Sequence, residues 1–324
     1  MTTSIGARRR VIVGPVRFAE LCVSARAMLL AAGFELVENL TTVPWTADDL
    51  APLLPTADAA ICGVEVYDAA ALAQAPNLRV IARMGVGLDN IDLAAARANN
   101  TAVSNVPGGN ASAVGELALT LILAVLRKLT IMDRDLRQNR WDRYVGRELA
   151  GKTVGLVGFG ATARELAKRL SGFGVIILAA DPVPNRPAAA ALGVQLRELT
   201  EVLSAADVIS VHAPHVPATH HLIGAQALNL VRPGAILINT SRGGLVDEAA
   251  LVAALESGRL AGAGLDVFER EPLTSDNPLL AFEQVVMTPH AAADSLEAYH
   301  RIGLANAHAI LDVFSGRIPS HLAN

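Results

Sequence analysis

Cysteine is scarce in this sequence, with only Cys22 and Cys62 among 324 residues. Two isolated cysteines cannot build the disulfide framework of a small secreted domain, and their spacing is not that of a zinc site. A reduced, cytoplasmic setting is therefore the expected one.

Long apolar runs are lacking as well, since no stretch reaches the roughly 18 apolar residues that a membrane-spanning helix needs. The longest is ALTLILAVL (118–126), which is flanked by Glu116 and by Arg127–Lys128 and predicts a buried or dimer-facing helix. The basic segment ARRR (7–10) is too short for a signal peptide and has no small-residue cleavage site. No membrane partner is expected.

Positive charge is not in excess, because the formal net charge is −4 and lysine occurs only at positions 128, 152 and 168. A nucleic-acid-binding protein needs a clustered basic surface, so no nucleic-acid partner is expected. Aromatic residues make up 4% of the chain against 52% hydrophobic residues, so its cores must be built from Ala, Val, Leu and Ile.

The length of 324 residues favours two domains. Over the first hundred residues strand-like and helix-like segments alternate, including a helix predicted over 18–33, which is typical of a small parallel α/β unit. NVPGGN (105–110) breaks the pattern and leads into a long helix predicted over about 111–129. An amphipathic helix over 295–316 is followed by no strand, so we expect it to return to the first unit. The predicted domains are 1–105 plus 295–324, and 106–294, with the active site in the cleft between them.

What the sequence does contain is a nucleotide-binding pattern, GKTVGLVGFGATARELAKRLSGFGVIILAADP (151–182). A strand, a glycine turn, a helix and a second strand ending in an acid form one βαβ half of a dinucleotide-binding fold. Gly158 permits the tight turn, Gly160 lets the backbone approach a pyrophosphate, and Ala163 packs helix against strand. The first helical turn offers free N–H groups to the phosphates, and Thr162 adds a hydroxyl there.

The acid at the end of this pattern is Asp181, which follows Ala163 by 18 residues. An acid about 20 residues after the glycines binds the ribose hydroxyls of NAD. Its charge would repel the 2′-phosphate of NADP, so NAD is favoured over NADP. Arg186 is the nearest residue that argues for NADP.

Three further residues follow apolar, strand-like runs in the C-terminal half: Arg242 in INTSRGGLVDE, Glu271 in AGLDVFEREP and His290 in MTPH. Any one of them alone is best interpreted as a loop residue. Together, downstream of a nucleotide-binding pattern, they predict one polar site that binds an anion, polarises a carbonyl and moves a proton.

With these residues in place, the chain resembles the D-isomer specific 2-hydroxyacid dehydrogenases of the phosphoglycerate dehydrogenase-like group. The resemblance covers nearly the whole length, and the motifs occur in the family's order. Besides the dinucleotide pattern they are GVGLDNIDL (85–93), SVHAPHVPATHHLI (210–223), NTSRGGLVDE (239–248), GLDVFEREP (264–272) and TPH (288–290).

The resemblance implies two doubly wound parallel-sheet domains: a discontinuous, flavodoxin-like substrate domain and an NAD-binding Rossmann domain. It implies an oxidoreductase acting on the CH–OH group of a 2-hydroxy acid, and a homodimer formed through the 111–150 region.

The resemblance also implies roles for individual residues. Arg242 would bind the substrate carboxylate and polarise the keto group, His290 would be the general acid or base, and Glu271 would stabilise the charged form of His290. The implied cofactor-binding residues are Gly158, Gly160, Ala161, Thr162, Asp181, Ala213, Thr240 and Asp266, the last near the nicotinamide. The backbones of Gly63–Val64 and of Val86–Gly87 would cradle the substrate carboxylate.

Four histidines, at positions 212, 215, 220 and 221, resemble a metal site. They lie in a proline-containing loop without cysteines or paired carboxylates, and the family places this loop beside the adenine, so no metal is expected. Glu116 is interpreted as a structural or interface partner and Trp141 as a subunit-packing residue. Arg83 is either a substrate contact or a surface charge.

The segment CGVEVYD (62–68) bears on the substrate. Phosphoglycerate dehydrogenases of the serine pathway usually have an Arg-Ser turn here, whereas this chain has Val64 and Glu65, and Glu65 would repel a phosphate if it faced the cleft. The sequence also ends at Asn324, which leaves no room for a regulatory C-terminal domain. A small keto acid such as glyoxylate or hydroxypyruvate is therefore favoured. The alternatives are D-3-phosphoglycerate, or a non-catalytic NAD-sensing protein of the corepressor kind.

Overall fold

The computed structural model of the protein describes residues 8–324, which form two compact units. The first takes the described residues up to Asn110 together with Asp294–Asn324, and the second is Ala111–Ala293. Each has its own parallel sheet with helices packed against it, so the prediction of two parallel α/β sheets is confirmed.

The strands, in chain order, are β1 (Arg10–Val13), β2 (Glu35–Glu38), β3 (Ala59–Cys62), β4 (Val80–Arg83), β5 (Ala102–Ser104), β6 (Thr153–Val157), β7 (Ile176–Ala180), β8 (Gln195–Leu196), β9 (Val208–Val211), β10 (Ala235–Asn239), β11 (Leu260–Leu265) and β12 (Val285–Met287). The first unit has the five-stranded order β2-β1-β3-β4-β5. The second has the seven-stranded order β12-β11-β10-β9-β6-β7-β8.

The α-helices are α1 (Phe18–Leu21), α2 (Val23–Ala31), α3 (Ala47–Leu50), α4 (Ala69–Ala73), α5 (Leu93–Ala98), α6 (Ala111–Arg127), α7 (Leu129–Arg137), α8 (Ala161–Leu170), α9 (Arg186–Ala191), α10 (Leu199–Ala205), α11 (Ala225–Leu230), α12 (Glu248–Glu256) and α13 (Leu296–Phe314). Short 3-10 helices occur at Leu54–Thr56, Ser171–Phe173, Pro217–Thr219, Gly243–Leu245 and Pro278–Ala281. None of the helices in residues 8–324 is both long and apolar enough to cross a bilayer.

In the first unit, the helix predicted over 18–33 is two helices, α1 and α2, which meet at Cys22. Packing explains the break. The Cys22 thiol donates to the carbonyl oxygen of Tyr299 at 3.4 Å, and a methyl group at Gly303 would lie 2.8 Å from its sulfur. The C-terminal helix α13 therefore packs closely on this point, and a tertiary contact overrides the local helical pattern.

In the second unit, the long helix predicted near 111–129 is α6, and the apolar segment 118–126 within it is largely buried. α6 packs against α8, the helix of the dinucleotide pattern. A methyl group at Gly115 would lie 3.0 Å from the Cβ of Glu165, so a residue of low helix propensity is retained where two helices approach closely. Arg169 of α8 also donates to Glu116 at 2.8 Å, which gives Glu116 a structural partner.

Candidate active site

Three adjacent parallel strands of the second unit end at one edge of its sheet, and each leads to one member of the predicted trio. β10 leads to Arg242, β11 to the segment that carries Glu271, and β12 to His290. Ligands of open α/β sheets bind at the carboxyl ends of the strands. The topology therefore gathers a cation, a carboxylate and an imidazole where a ligand is expected.

His290 and Glu271 form a hydrogen-bonded pair, with 2.7 Å between the imidazole Nδ1 and the carboxylate Oε2. The second oxygen, Oε1, accepts the N–H of Phe268 at 2.9 Å and so fixes the carboxylate. The bond to Glu271 raises the pKa of His290, and burial offsets this only in part. Burial alone would raise the pKa of Glu271, but the bonds from His290 and Phe268 outweigh it, so this pKa is lowered. Both shifts favour an imidazolium beside a carboxylate.

Arg242 begins the 3-10 turn Gly243–Leu245. Its Nη1 donates to the carbonyl oxygen of Ser241 at 2.8 Å, and its own carbonyl oxygen accepts from Asn239 Nδ2 at 2.9 Å. The positive charge of Arg242 is close enough to His290 and Glu271 to act on both side chains. The structure thus brings the three predicted residues into one electrostatic group.

Asp266 holds the turn that carries His290. Its carboxylate accepts the Thr288 hydroxyl at 2.6 Å and the N–H groups of Ala291 and Ala292 at 2.9 Å each, and its carbonyl oxygen accepts the N–H of His290 at 2.8 Å. The side chain is fully buried. The cofactor contact of Asp266 that the resemblance implies stays a prediction. The turn also places His290 at φ 52°, a conformation that non-glycine residues seldom adopt.

The segments that carry the arginine and the glutamate of the trio are in direct backbone contact. A methyl group at Gly243 would overlap the carbonyl of Phe268, so only glycine fits there. The contact is reinforced by a reciprocal pair, because the N–H of Glu269 donates to Glu248 Oε1 at 2.7 Å and the N–H of Glu248 donates to Glu269 Oε1 at 3.2 Å. Sequence reasoning missed both glutamates. Both glutamates are visible in the VDE and FERE segments of the sequence. A single sequence does not show that the two residues bond to each other.

The glycine turn after β6 leaves room for a phosphate. Gly158 has φ 91°, and a methyl group there would lie 2.8 Å from the nitrogen of Ala213, so conformation and space both require glycine. A methyl group added at Gly160 would have no atom of residues 8–324 within 4 Å, so the space beside this glycine is open. No side chain caps the N-terminus of α8. Thr162 Oγ1 lies 3.1 Å from Nδ1 of His212, whose pKa burial lowers to about 4. A neutral histidine thus anchors the threonine at the open end of α8.

Asp181 and Thr240 lie at the same edge of the sheet. Asp181 accepts the N–H of Phe159 at 2.7 Å and that of Val183 at 2.8 Å, which fixes its carboxylate beside the glycine turn. The buried hydroxyl of Thr240 has no hydrogen-bond partner within residues 8–324. Buried polar groups are nearly always paired, so a ligand is a reasonable source of the missing partner. The open helix end, the glycine turn, the acid and this hydroxyl fit a nicotinamide dinucleotide.

The predicted substrate contacts Val64, Val86 and Gly87 belong to the first unit, in the segments that follow β3 and β4. The side chains of Val64 and Val86 are 62% and 38% exposed, so neither is part of the core. Arg83 ends β4, and its Nη1 donates to the carbonyl oxygen of Met84 at 3.0 Å. Arg83 therefore lies against its own turn, rather than projecting freely as a surface charge.

Glu65 was expected to repel a phosphate if it faced the cleft, but its side chain is buried. Its side chain is only 3% exposed, and its Oε2 accepts the N–H of Gly63 at 2.5 Å. Burial raises the pKa of this carboxyl. Glu65 therefore gives no argument against a phosphorylated substrate.

The four histidines do not form one cluster. His212 is buried, whereas His215, His220 and His221 lie at the surface, with the rings of His220 and His221 stacked at 3.9 Å. A different group could hold a metal: His221, Asp247 and Glu269 each bring one ligand atom within 4.8 Å of the others.

Hydrogen bonds explain why these three side chains lie close together, and no metal ion is needed for that. His221 Nε2 pairs with Glu269 Oε1 at 2.7 Å, and Asp247 accepts the N–H of Ala250 and caps α12. These contacts join the segments of the Glu248–Glu269 pair. The expectation that the chain binds no metal stays a prediction.

Known proteins are similar to this chain over most of its length. The model of the NAD-binding domain of D-isomer specific 2-hydroxyacid dehydrogenases matches residues 119–292. The chain is 43% identical over 280 residues to D-3-phosphoglycerate dehydrogenase of Mycobacterium tuberculosis, which covers 86% of this chain but 53% of that protein. The chain thus spans about half the length of this relative.

Two other proteins are matched over most of their length. Glyoxylate reductase of Thermofilum pendens is 38% identical over 297 residues, 87% of this chain and 85% of that protein. The crystal structure of the TT0316 protein from Thermus thermophilus superimposes with a TM-score of 0.88 at 35% identity, over 97% of this chain and 100% of that chain.

Proposed function

The chain belongs to the D-isomer specific 2-hydroxyacid dehydrogenase family, and we propose that it interconverts a small 2-keto acid and the 2-hydroxy acid with NAD(H). The observation that carries this proposal is the 2.7 Å pair of His290 and Glu271 at the strand edge shared with Arg242.

Each member of the trio has a task in keto-acid reduction. A bound nicotinamide supplies the hydride, which is the chemistry of the cofactor and not of the chain. Negative charge then develops on the carbonyl oxygen, where protonated His290 donates its proton, a role commonly worth 10²- to 10⁴-fold in rate. Glu271 keeps His290 protonated until that step. Arg242 offers a planar, permanently charged fork of donors that matches the substrate carboxylate.

NAD is proposed over NADP because of Asp181. Its carboxylate accepts two backbone N–H groups, which hold it at the end of β7. An ionised acid accepts bonds from ribose hydroxyls and repels a 2′-phosphate. The dissociation constants of NADH and NADPH, measured by fluorescence, test this, and tighter binding of NADPH would contradict it.

A small, unphosphorylated substrate is proposed, with glyoxylate or hydroxypyruvate favoured. The turn that follows β3, where phosphoglycerate dehydrogenases of the serine pathway usually have a phosphate-binding arginine, carries Val64 and the buried Glu65 instead. D-3-phosphoglycerate stays the second candidate, since the mycobacterial relative at 43% identity is named for it. Because Glu65 is buried, its carboxyl gives no reason to exclude D-3-phosphoglycerate.

Steady-state turnover with NADH separates these candidates. The panel is glyoxylate, hydroxypyruvate, pyruvate and 3-phosphohydroxypyruvate, compared by kcat/KM. A preference for the phosphorylated acid would select the second candidate. Tight NADH binding without turnover of any member would instead support the NAD-sensing alternative.

We also propose a homodimer formed through the 111–150 region. Four apolar side chains there are more than half exposed: Leu129, Leu136, Trp141 and Val145. Light scattering after size exclusion measures the assembly, and a monomer at micromolar concentration would contradict the proposal.

A further inference from the structure

The loop that follows β9, here called the histidine loop (212–223), packs directly on the loop that follows β10, the arginine loop (240–247). The N–H of His221 donates to the carbonyl oxygen of Gly244 at 2.8 Å. A methyl group at Gly244 would lie 2.7 Å from Nε2 of His215, so the imidazole of His215 rests against the glycine backbone. The histidine loop is therefore in contact with the segment that carries the catalytic arginine.

The side chain of His221 contacts a second segment, the glutamate loop (266–272) that follows β11. Its Nε2 lies 2.7 Å from Oε1 of Glu269. The same loop orients Glu271, because the N–H of Phe268 donates to the Glu271 carboxylate at 2.9 Å. His221 thus bonds one loop through its backbone and the other through its imidazole, next to the turn that orients Glu271.

The backbone of His221 adopts an unfavourable conformation. Its φ is 51°, in the left-handed region, where a Cβ crowds the backbone and glycine is favoured. Strained residues persist where the surrounding contacts hold them, and they are concentrated at functional sites. Glycine would retain the N–H bond to Gly244 and lose only the contact with Glu269. The imidazole is therefore the part of this residue that needs an explanation.

Other polar groups face the imidazole of His221. The ring of His220 stacks on it at 3.9 Å, and an oxygen of Asp247 lies within 4.8 Å of one of its nitrogens. Asp247 also caps α12, where it accepts the N–H of Ala250 at 3.0 Å. Glu269 is the group that the imidazole bonds, so the influence of His221 on the site passes through Glu269.

We infer that His221 is a positioning residue for the His290–Glu271 pair: its imidazole holds Glu269, and thereby the turn that orients the Glu271 carboxylate toward His290. The effect of His221 on turnover rests on the proposed function. The geometry of the pair can be measured without turnover.

His221→Gly removes the imidazole and suits the backbone conformation. With the glutamate loop held less firmly, the bond from Glu271 should weaken, and the pKa of His290 should fall because that bond raises it. Arg242 and Asp266, which also act on His290, are unchanged. NMR titration of the His290 ring measures the pKa without substrate. In the proposed reaction, the alkaline limb of kcat for keto-acid reduction should move to lower pH, and kcat near neutral pH should fall about fivefold.

Two comparisons test the route of this effect. In a Glu271→Gln background, His221→Gly should move the alkaline limb no further, because the charge that it positions is already absent. Asn100→Gly replaces an exposed left-handed residue of the first unit, at φ 56°, and should leave kcat and its pH profile unchanged. Should His221→Gly fail to fold, as judged by its melting temperature, Glu269→Ala decides the question with the same measurements.

The outcomes separate the two proposals. A lower pKa of His290 in His221→Gly, with a shifted alkaline limb, supports the inference. An unchanged pKa in the folded variant overturns it, as does a further shift of the limb in the Glu271→Gln background. If the pKa falls but the wild type reduces no keto acid of the panel, the proposed function fails and the positioning role stands.

Discussion

Replacing Glu271 by glutamine keeps the size of the side chain and removes the charge that stabilises protonated His290. A charge-assisted hydrogen bond contributes about 1.5–3 kcal/mol. The two side chains are 47% and 34% exposed, so solvent screens the interaction and the lower end of that range applies. A loss of about 1.5 kcal/mol corresponds to roughly a tenfold drop in kcat for keto-acid reduction near neutral pH.

The pH profile gives the sharper readout. In the proposed reaction, reduction requires protonated His290, and the bond to Glu271 raises the pKa of this histidine. Without that bond the imidazole loses its proton at lower pH, so the alkaline limb of the kcat profile should move to lower pH. Stopped-flow reduction of glyoxylate by NADH between pH 5 and 9 measures it, with Glu256→Gln on the exposed end of α12 as the control. An alkaline limb that stays in place would remove Glu271 from the mechanism.

Three other substitutions test separate parts of the site. Arg242→Lys should raise KM and lower kcat, with a loss of about tenfold or more in kcat/KM, because lysine lacks the planar fork; near-normal kinetics would refute its assignment. Asp181→Ala should weaken NADH about tenfold by fluorescence titration and leave NADPH no weaker, whereas an equal loss for both would deny it the selective role. Gly243→Ala should cost about 3 kcal/mol in the free energy of unfolding, measured with urea, because its methyl group overlaps the Phe268 carbonyl. Gly172→Ala, where no described atom lies within 4 Å, is its control.

The sequence alone predicted those parts of the site that lie within one contiguous segment of the chain. Arg242 and His290 follow apolar runs that the structure contains as β10 and β12, and the glycine turn with Asp181 is a contiguous βαβ unit. Periodicity and turn chemistry act over a few residues, so they can be recognised in one chain. That β10, β11 and β12 are neighbours depends on the sheet topology, which entered only through the family resemblance.

The parts that the sequence did not predict depend on distant contacts. Glu65 is buried because its carboxyl packs on Gly14, 51 residues earlier, and the break at Cys22 reflects the packing of α13 near Tyr299. The carboxylate of Asp266 also holds a turn more than twenty residues further on, a structural role that the sequence did not predict. In each case a local pattern gives the residue type, and only the folded chain supplies the partner.

The backbone contact between Gly243 and Phe268 also limits how this protein can be redesigned. Because the two segments touch without an intervening side chain, a shift of one should be transmitted to the other. Libraries that randomise only the arginine loop or only the glutamate loop should therefore yield mostly inactive variants. Substitutions drawn from both loops together should be strongly non-additive, so a new specificity would be easier to select when the two loops vary jointly.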